Sequence, residues 1–380
     1  MAQKNTNKKP LSGRFAIFIT ALLLICTLIF LNNQLSSGSI KRFAYWVFNG
    51  VRGDAQEVSI SFDSKEFNRF SLISKNLLIV SPDEISTYLL SGKTALNTPV
   101  ILRNPAVSVA GNRFIAYDLG GLNFYIGNSK KLLFSGETES KLVNANINKA
   151  GYFSIITDDA DSKSLVTIYD PSFEPIYKFH SAEKYVFDAA VSPSGKSAAV
   201  VTYGANEGQF ESTLSLCRTN EEGFYATVSL GDSMPLRVSY HSEKRIFLVC
   251  NDRTILFAND GSMISELSYN SLPPKAFSGS FGNHVAVALD NYANGGNTRL
   301  YLFKSNGDVS EGLDFDDDIY SISSAGDFTA IQFSDKCAVY KNDLTLHSEF
   351  SISADISRCL VNSDGSVLCV ADNFATLYVK

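Results

Sequence analysis

Three polar stretches carry residue types that could do chemistry. TDDADSKS over Thr157–Ser164, TYGANEGQFES over Thr202–Ser212 and DNYANGGNT over Asp290–Thr298 mix acids, amides and aromatics, and Asp316, Asp317 and Asp318 form a further acidic group. Clustered oxygen ligands are what calcium takes. The DDADS run lacks the spacing and terminal glutamate of an EF-hand loop, so solvated turn acids are the default reading and no metal site is assigned. The candidate binding set is therefore Asp158, Asp159, Asp161, Tyr203, Phe210, Asp290, Tyr292, Asp316, Asp317, Asp318 and Tyr320. An aspartate also follows a turn glycine by seven residues at Asp118, Asp158 and Asp372, with Asp290 one residue later in its own repeat. Asp at a strand end commonly accepts a nearby backbone N–H and fixes the turn, so these are expected to cap rather than to form a ring of carboxylates.

Catalytic signatures are missing. The chain has no GxSxG elbow, phosphate loop, HExxH or CxxC, and no cofactor or catalytic residue is assigned. His180, His241, His284 and His347 fall at different levels of the repeats described below and are not expected to converge on a metal. Cys217, Cys250, Cys337, Cys359 and Cys369 sit in runs such as IFLVC and VLCV, where free cysteine behaves as a small apolar core residue. An enzyme is not expected, although a site assembled from dispersed loops would leave no local signature.

The elements that position these residues come from a repeat. A β-run, a small polar turn and a second apolar β-run recur with turns at Asn76, Gly111, Gly151, Gly195, Lys244, Gly282, Gly326 and Gly365, spaced between 35 and 49 residues apart. A period near 40 with turn chemistry at each node is the signature of a β-propeller blade. The fourth repeat reads as four strands over 187–191, 197–203, 212–217 and 224–230, the first pair joined by Ser-Pro-Ser-Gly. The expectation is all-β with eight blades, seven being the alternative. The last repeat holds only three strands, and EVSISFD over 57–63 is an alternating strand ahead of the first blade. It is expected to become the outer strand of the last blade and so remove an open sheet edge. An outer strand is entered from the face carrying the first and third hairpin turns of each blade. The opposite face, here called outward, holds the second-to-third strand loops and the blade connections.

Phe15 to Leu31 is an uncharged apolar run of seventeen residues, preceded by Lys4, Lys8, Lys9 and Arg14. The sequence predicts a cytoplasmic tail over 1–14, a transmembrane helix over 15–31, a juxtamembrane stalk over 32–54 and an extracytoplasmic domain over 55–380. A cleaved signal peptide is the rival, but the run is long and is followed by Asn32, Asn33 and Gln34. Lys41, Arg42, Tyr45 and Trp46 suit the headgroup level. Residues 1–54 carry seven Lys and Arg against one acid, leaving 26 bases and 38 acids on residues 55–380. A domain so acidic repels nucleic acid and favours a neutral, cationic or protein partner.

The Ser-Pro-Ser-Gly-Lys turn ahead of an apolar strand resembles the WD40-like and YVTN-type bacterial propellers, although the Gly-His and Trp-Asp dipeptides of true WD40 repeats are missing. The layout of basic tail, apolar run and divergent propeller is similar to an uncharacterised family of membrane-anchored propellers from Gram-positive bacteria. That resemblance implies the fold and carries no catalytic residues over. The expected function is a non-catalytic binding or scaffold module at the cell membrane, presenting an acidic outward face to a protein or envelope component. An extracytoplasmic hydrolase or lyase, or a ligand sensor, is the alternative.

Overall fold

A computed structural model describes residues 58–278, 283–291 and 297–379. Among them, β1 (Val58–Ser61) precedes the first blade, β2 (Arg69–Ile73), β3 (Asn76–Val80), β4 (Glu84–Tyr88) and β5 (Thr94–Pro99). The second blade is β6 (Pro105–Ala110), β7 (Arg113–Asp118), β8 (Asn123–Gly127) and β9 (Leu132–Glu137). The third is β10 (Leu142–Ile147), β11 (Phe153–Thr157), β12 (Ser164–Tyr169) and β13 (Pro175–Ser181). The fourth is β14 (Tyr185–Val191), β15 (Ser197–Asn206), β16 (Gln209–Arg218) and β17 (Phe224–Gly231). The fifth is β18 (Pro235–Ser242), β19 (Arg245–Cys250), β20 (Arg253–Ala258) and β21 (Met263–Ser268). The sixth is β22 (Pro274–Phe277), β23 (His284–Asn291), β24 (Asn297–Lys304) and β25 (Leu313–Phe315). The seventh is β26 (Ser321–Ala325), β27 (Phe328–Gln332), β28 (Lys336–Lys341) and β29 (Leu346–Ser351). The eighth is β30 (Arg358–Val361), β31 (Val367–Val370) and β32 (Phe374–Tyr378), completed by β1.

Burial follows each strand's place in its blade. Second strands such as β11 and β19 are buried almost throughout, on both faces, and β19 is apolar at every position after Arg245. Fourth strands such as β17 alternate between exposed and buried or half-buried positions, as expected of a strand with one face to water. Each blade is an antiparallel meander, and the first strands of successive blades approach one another around the axis. Gly195 shows why one hairpin needs glycine. Its φ is +74°, and a Cβ there would lie 2.2 Å from Cε1 of Tyr152.

The core is not central. Eight apolar clusters each lie between two neighbouring blades, and one of them joins the last blade to the first through Ile60, Leu368, Ala375 and Leu377 on one side and Leu77, Ile79 and Leu90 on the other. Eight sheets with eight such interfaces form a closed ring, which excludes the seven-bladed alternative. The closing strand pairs antiparallel with β32 in the register Val58↔Leu377 and Ile60↔Ala375, as the sequence predicts.

One part of the expected fold is corrected. The structure is all-β: the described residues form no helix, and none is long and apolar enough to cross a membrane. The predicted transmembrane segment 15–31, the stalk and the interface residues Lys41, Arg42, Tyr45 and Trp46 lie outside the described residues.

Candidate functional site

The most prominent feature of the outward face is a hairpin that overshoots the rim of the fourth blade. The sequence predicts a lengthened outward loop over Thr202–Ser212, between strands over 197–203 and 212–217. Instead, β15 and β16 stay paired to Asn206↔Gln209. They close with two residues at positive φ, Glu207 at 51° and Gly208 at 82°, the backbone of a tight hairpin turn. The extension carries aromatic side chains. Tyr203 stacks on Tyr185 at 5.7 Å and on Phe210 at 6.3 Å, with Phe187 edge-on at 6.2 Å. Tyr185 is 46% exposed and Phe210 is 40% exposed. Lys163 Nζ lies 4.8 Å from the Tyr185 ring centre, within cation–π range. Tyr320, in the connection between the sixth and seventh blades, is 63% exposed.

The nominated acids are largely engaged with bases from other elements. Lys275 Nζ lies 2.5 Å from Asp318 and 3.4 Å from Asp290, so one ammonium joins two predicted site residues. Hydrogen bonding to Asp318, outweighing burial, raises the Lys275 pKa. Asp290 also accepts a hydrogen bond from Thr298 Oγ1, and Asp317 pairs with Lys336 at 3.2 Å. Lys184 pairs with Glu211 beside the aromatic hairpin at 2.7 Å. Asp158, Asp161 and Asp316 are exposed. The face is thus less negative than the composition implies, since exposed pairs cancel charge even where they add little stability. Tyr292 lies outside the described residues.

Asp159 meets both a serine and a histidine. Its Oδ2 accepts from Ser162 Oγ and lies 2.7 Å from His180 Nδ1. The hydrogen bond from Ser162, followed by that from His180, holds its carboxyl below the usual aspartate range. A nucleophilic triad requires the imidazole between hydroxyl and carboxylate. Here the carboxylate is between the other two, an arrangement that fixes the loop after β11 and does not activate Ser162. Of the repeated aspartates, Asp118 does cap a connection, accepting the Asn104 N–H at 2.8 Å, while Asp372 is exposed. The other histidines are apart: His284 is buried against Thr329, and His241 and His347 pack on Phe247 and Phe328.

A polar network on the inner wall has no local signature in the sequence. Asp188, 1% exposed in the inner strand of the fourth blade, accepts hydrogen bonds from Asn146 and Asn144 of the third blade. It also accepts the Ala189 N–H at 3.0 Å and, from the fifth blade, the Val238 N–H at 2.8 Å. Arg237 Nε lies 4.0 Å from Oδ2, the oxygen that accepts from Val238, while the asparagines and Ala189 share Oδ1. Tyr117 and Ser108 of the second blade extend the network by donating to Asn144 and Asn146. The carboxylate therefore joins three blades directly, and through the asparagines the network reaches a fourth. Polar residues at Asn144, Asn146, Asp188 and Arg237 of successive inner strands were the available signal, legible only once the repeats are superposed.

The five cysteines of the described region are buried, as expected. Burial pushes the Cys217 thiol up to about 11 and that of Cys250 up to about 12. Three of them converge: the sulfurs of Cys337, Cys359 and Cys369 all lie within 4.8 Å of one another. Cys359 faces Cys369 across β30 and β31, and Cys337 comes from the seventh blade. Three soft ligands suit a thiophilic ion. Their surroundings are Ala330, Val339, Phe350 and Val367, which offer no charge to balance a trithiolate.

The family described as a family of unknown function (DUF5711) matches residues 52–376. No curated protein matches the chain in sequence. Solved structures share the fold. BamB from Moraxella catarrhalis is 10% identical with a TM-score of 0.55, over 86% of this chain and 100% of that one. The carboxy-terminal WD40 domain of Sif2 is 13% identical with a TM-score of 0.59, over 87% and 99%. Sqt1 of Saccharomyces cerevisiae is 11% identical with a TM-score of 0.58, over 84% and 98%. At such identities the likeness is one of fold alone.

Proposed function

The chain belongs to that family of unknown function, and from this premise we propose that it is a non-catalytic binding module whose outward face docks a protein. The observation that carries the reading is the aromatic ladder Tyr185–Tyr203–Phe210, in which Tyr203 and Phe210 stand on a hairpin extended beyond its blade and Tyr185 on the neighbouring β14. Exposed aromatics on a rigid two-stranded support lose little entropy on docking, and they are the residues that dominate protein interfaces. The paired acids and lysines around the ladder supply a polar rim that fits a protein partner better than a polyanion. The sequence of residues 1–54 alone supports placement at the cell membrane with the ring outside the cytoplasm. The enzymatic alternative needs two titratable groups with opposed roles facing open space near the axis. Asp188 is instead enclosed by donors that hold it in place.

The test is site-specific photo-crosslinking in producing cells. A crosslinker at Phe210 should give one discrete protein adduct, and Tyr203→Ala should reduce its yield at least about ten-fold, the loss expected of a hot-spot aromatic. A crosslinker at Lys149, in a first hairpin turn on the opposite face, should give none. Equal adducts from both positions, or none from either, would overturn the proposal.

A further inference from the structure

A second feature of the outward face lies four blades away from the aromatic hairpin, where the ring closes. The connection between β1 and β2, the start of β30 and the turn between β31 and β32 surround a cleft of about 470 Å³, a size suited to a small organic ligand. Two arginines line it: Arg69 opens β2 and Arg358 opens β30, the first strands of neighbouring blades. Neither makes an ion pair with a described residue, whereas Lys65 on the same cleft is held by Asp83 and Glu84, and lysines elsewhere on this face are likewise paired with acids. Arg358 is solvent-exposed, and partial desolvation of its guanidinium, followed by the nearby charge of Arg69, pulls its pKa below that of a free guanidinium. Two neighbouring guanidinium charges, neither neutralised by a direct ion pair, repel one another, and an anion lying between them relieves that repulsion.

Two further observations bear on the ligand. Phe67, 52% exposed on the cleft wall, has φ +66°, a conformation that a bulky L-residue adopts at a cost. Such strain is characteristically kept at ligand clamps, and here it holds an aromatic ring out in solvent beside the arginines. Asn68 Oδ1 is buried on the same wall without a hydrogen-bond partner. Turned over, that amide would offer N–H donors to an anion.

We propose that this cleft binds an organic carboxylate on an apolar body, with Arg69 and Arg358 taking the carboxylate and Phe67 and Phe70 the apolar part. Guanidinium forks match the planar carboxylate in bidentate fashion, and the aromatic rings favour an anion carrying apolar surface over a bare one. Glu66 and Asp372 also line the cleft and disfavour multiply charged anions, so inorganic phosphate should bind more weakly. The site is independent of the protein-docking reading, because it shares no residue with the hairpin of the fourth blade.

The probe is 3-phenylpropanoate, titrated into the full chain by calorimetry beside its amide, acetate and phosphate. Saturable binding of 3-phenylpropanoate is expected, with each comparison compound weaker by at least about ten-fold, the loss of a charge-assisted or apolar contact. Arg69→Gln and Arg358→Gln should each weaken the carboxylate by a similar factor, and Phe67→Gly should raise thermal stability while reducing affinity. If an arginine variant does not fold, the exposed Asp372→Asn carries the test, and it should tighten binding two- to five-fold by removing a like charge (roughly 0.5–1 kcal/mol). Equal binding of the amide, unchanged affinity in the arginine variants, looser binding in Asp372→Asn, or no saturation would each overturn the assignment. A positive titration with a failed crosslink at Phe210 would leave this site standing and remove the docking reading.

Discussion

Replacing Asp188 with alanine should destabilise the ring by about 3–5 kcal/mol, the range for stripping a buried charge from its partners. The side chain is 1% exposed and takes hydrogen bonds from Asn144, Asn146, Ala189 and Val238. Alanine removes the carboxylate from all four donors at once, leaving Asn144 and Asn146 only the Phe187 and Ala189 carbonyls and the Ala189 and Val238 N–H groups no side-chain acceptor. Two backbone N–H groups are then orphaned in a wall whose spare volume is a side-chain cavity, and Arg237 loses the one carboxylate that pairs with it among the described residues. Because the network spans four blades, the loss should lower the urea midpoint with little change of slope, as for a cooperative unit. Asp188→Asn keeps the shape and one acceptor oxygen but turns a donor toward other donors, so its cost should fall between wild type and alanine. A loss below about 1 kcal/mol for Asp188→Ala, the worth of a single ordinary hydrogen bond, would show that the network does not hold the blades together.

Acidification should weaken the protein in a window set by His284. Burial, offset in part by Asp327 and reinforced by Lys304, pushes its pKa from 6.5 down to about 4. The imidazole lies against Thr329 Oγ1 at 2.6 Å, and its Nδ1 is buried without a partner. Above pH 6.5 the histidine is neutral whether the chain is folded or not, and it sets no pH dependence. Between 6.5 and 4 the unfolded chain takes a proton that the folded one refuses, so stability falls as pH falls. Below about 4 both states are protonated and the loss, about 3 kcal/mol in all, is complete. Denaturation at pH 7 and pH 4.5 measures it, and His284→Gln should reduce the difference by about 2–3 kcal/mol. The aspartates with lowered pKa, among them Asp260 and Asp343, lose their contribution only below the ordinary value of 3.8, outside this window. An unchanged pH difference in His284→Gln would place the sensitivity elsewhere.

The ring was legible in the sequence because its determinants are local. Turn glycines such as Gly111 and Gly365 mark hairpins wherever they occur, and the spare strand before the first blade matches the strand missing from the last. The site was less legible because its residues meet across blades. Lys275 joins Asp290 and Asp318, and nothing near any of the three in the chain announces the other two. Asp188 looks like one more polar position in a strand until Asn144, Asn146 and Val238 are brought beside it by neighbouring blades. The convergence of Cys337 with Cys359 and Cys369 depends on the register of one hairpin and the packing of another blade against it. The hairpin of the fourth blade departs from the predicted loop for a different reason: pairing across β15 and β16 overrides the weak strand propensity of Gly204 and Asn206.

The choice of outward face, and with it both proposed sites, depends on β1 completing the eighth blade. Amide hydrogen exchange on the full chain tests this directly. The Ile60 and Phe62 amides should exchange as slowly as those of β32, since β1 pairs along its length with β32 and the Phe62 N–H donates to the Asn373 carbonyl at 3.0 Å. Exchange at the rate of an unstructured peptide, with β32 still protected, would mean that the ring is not closed by this strand.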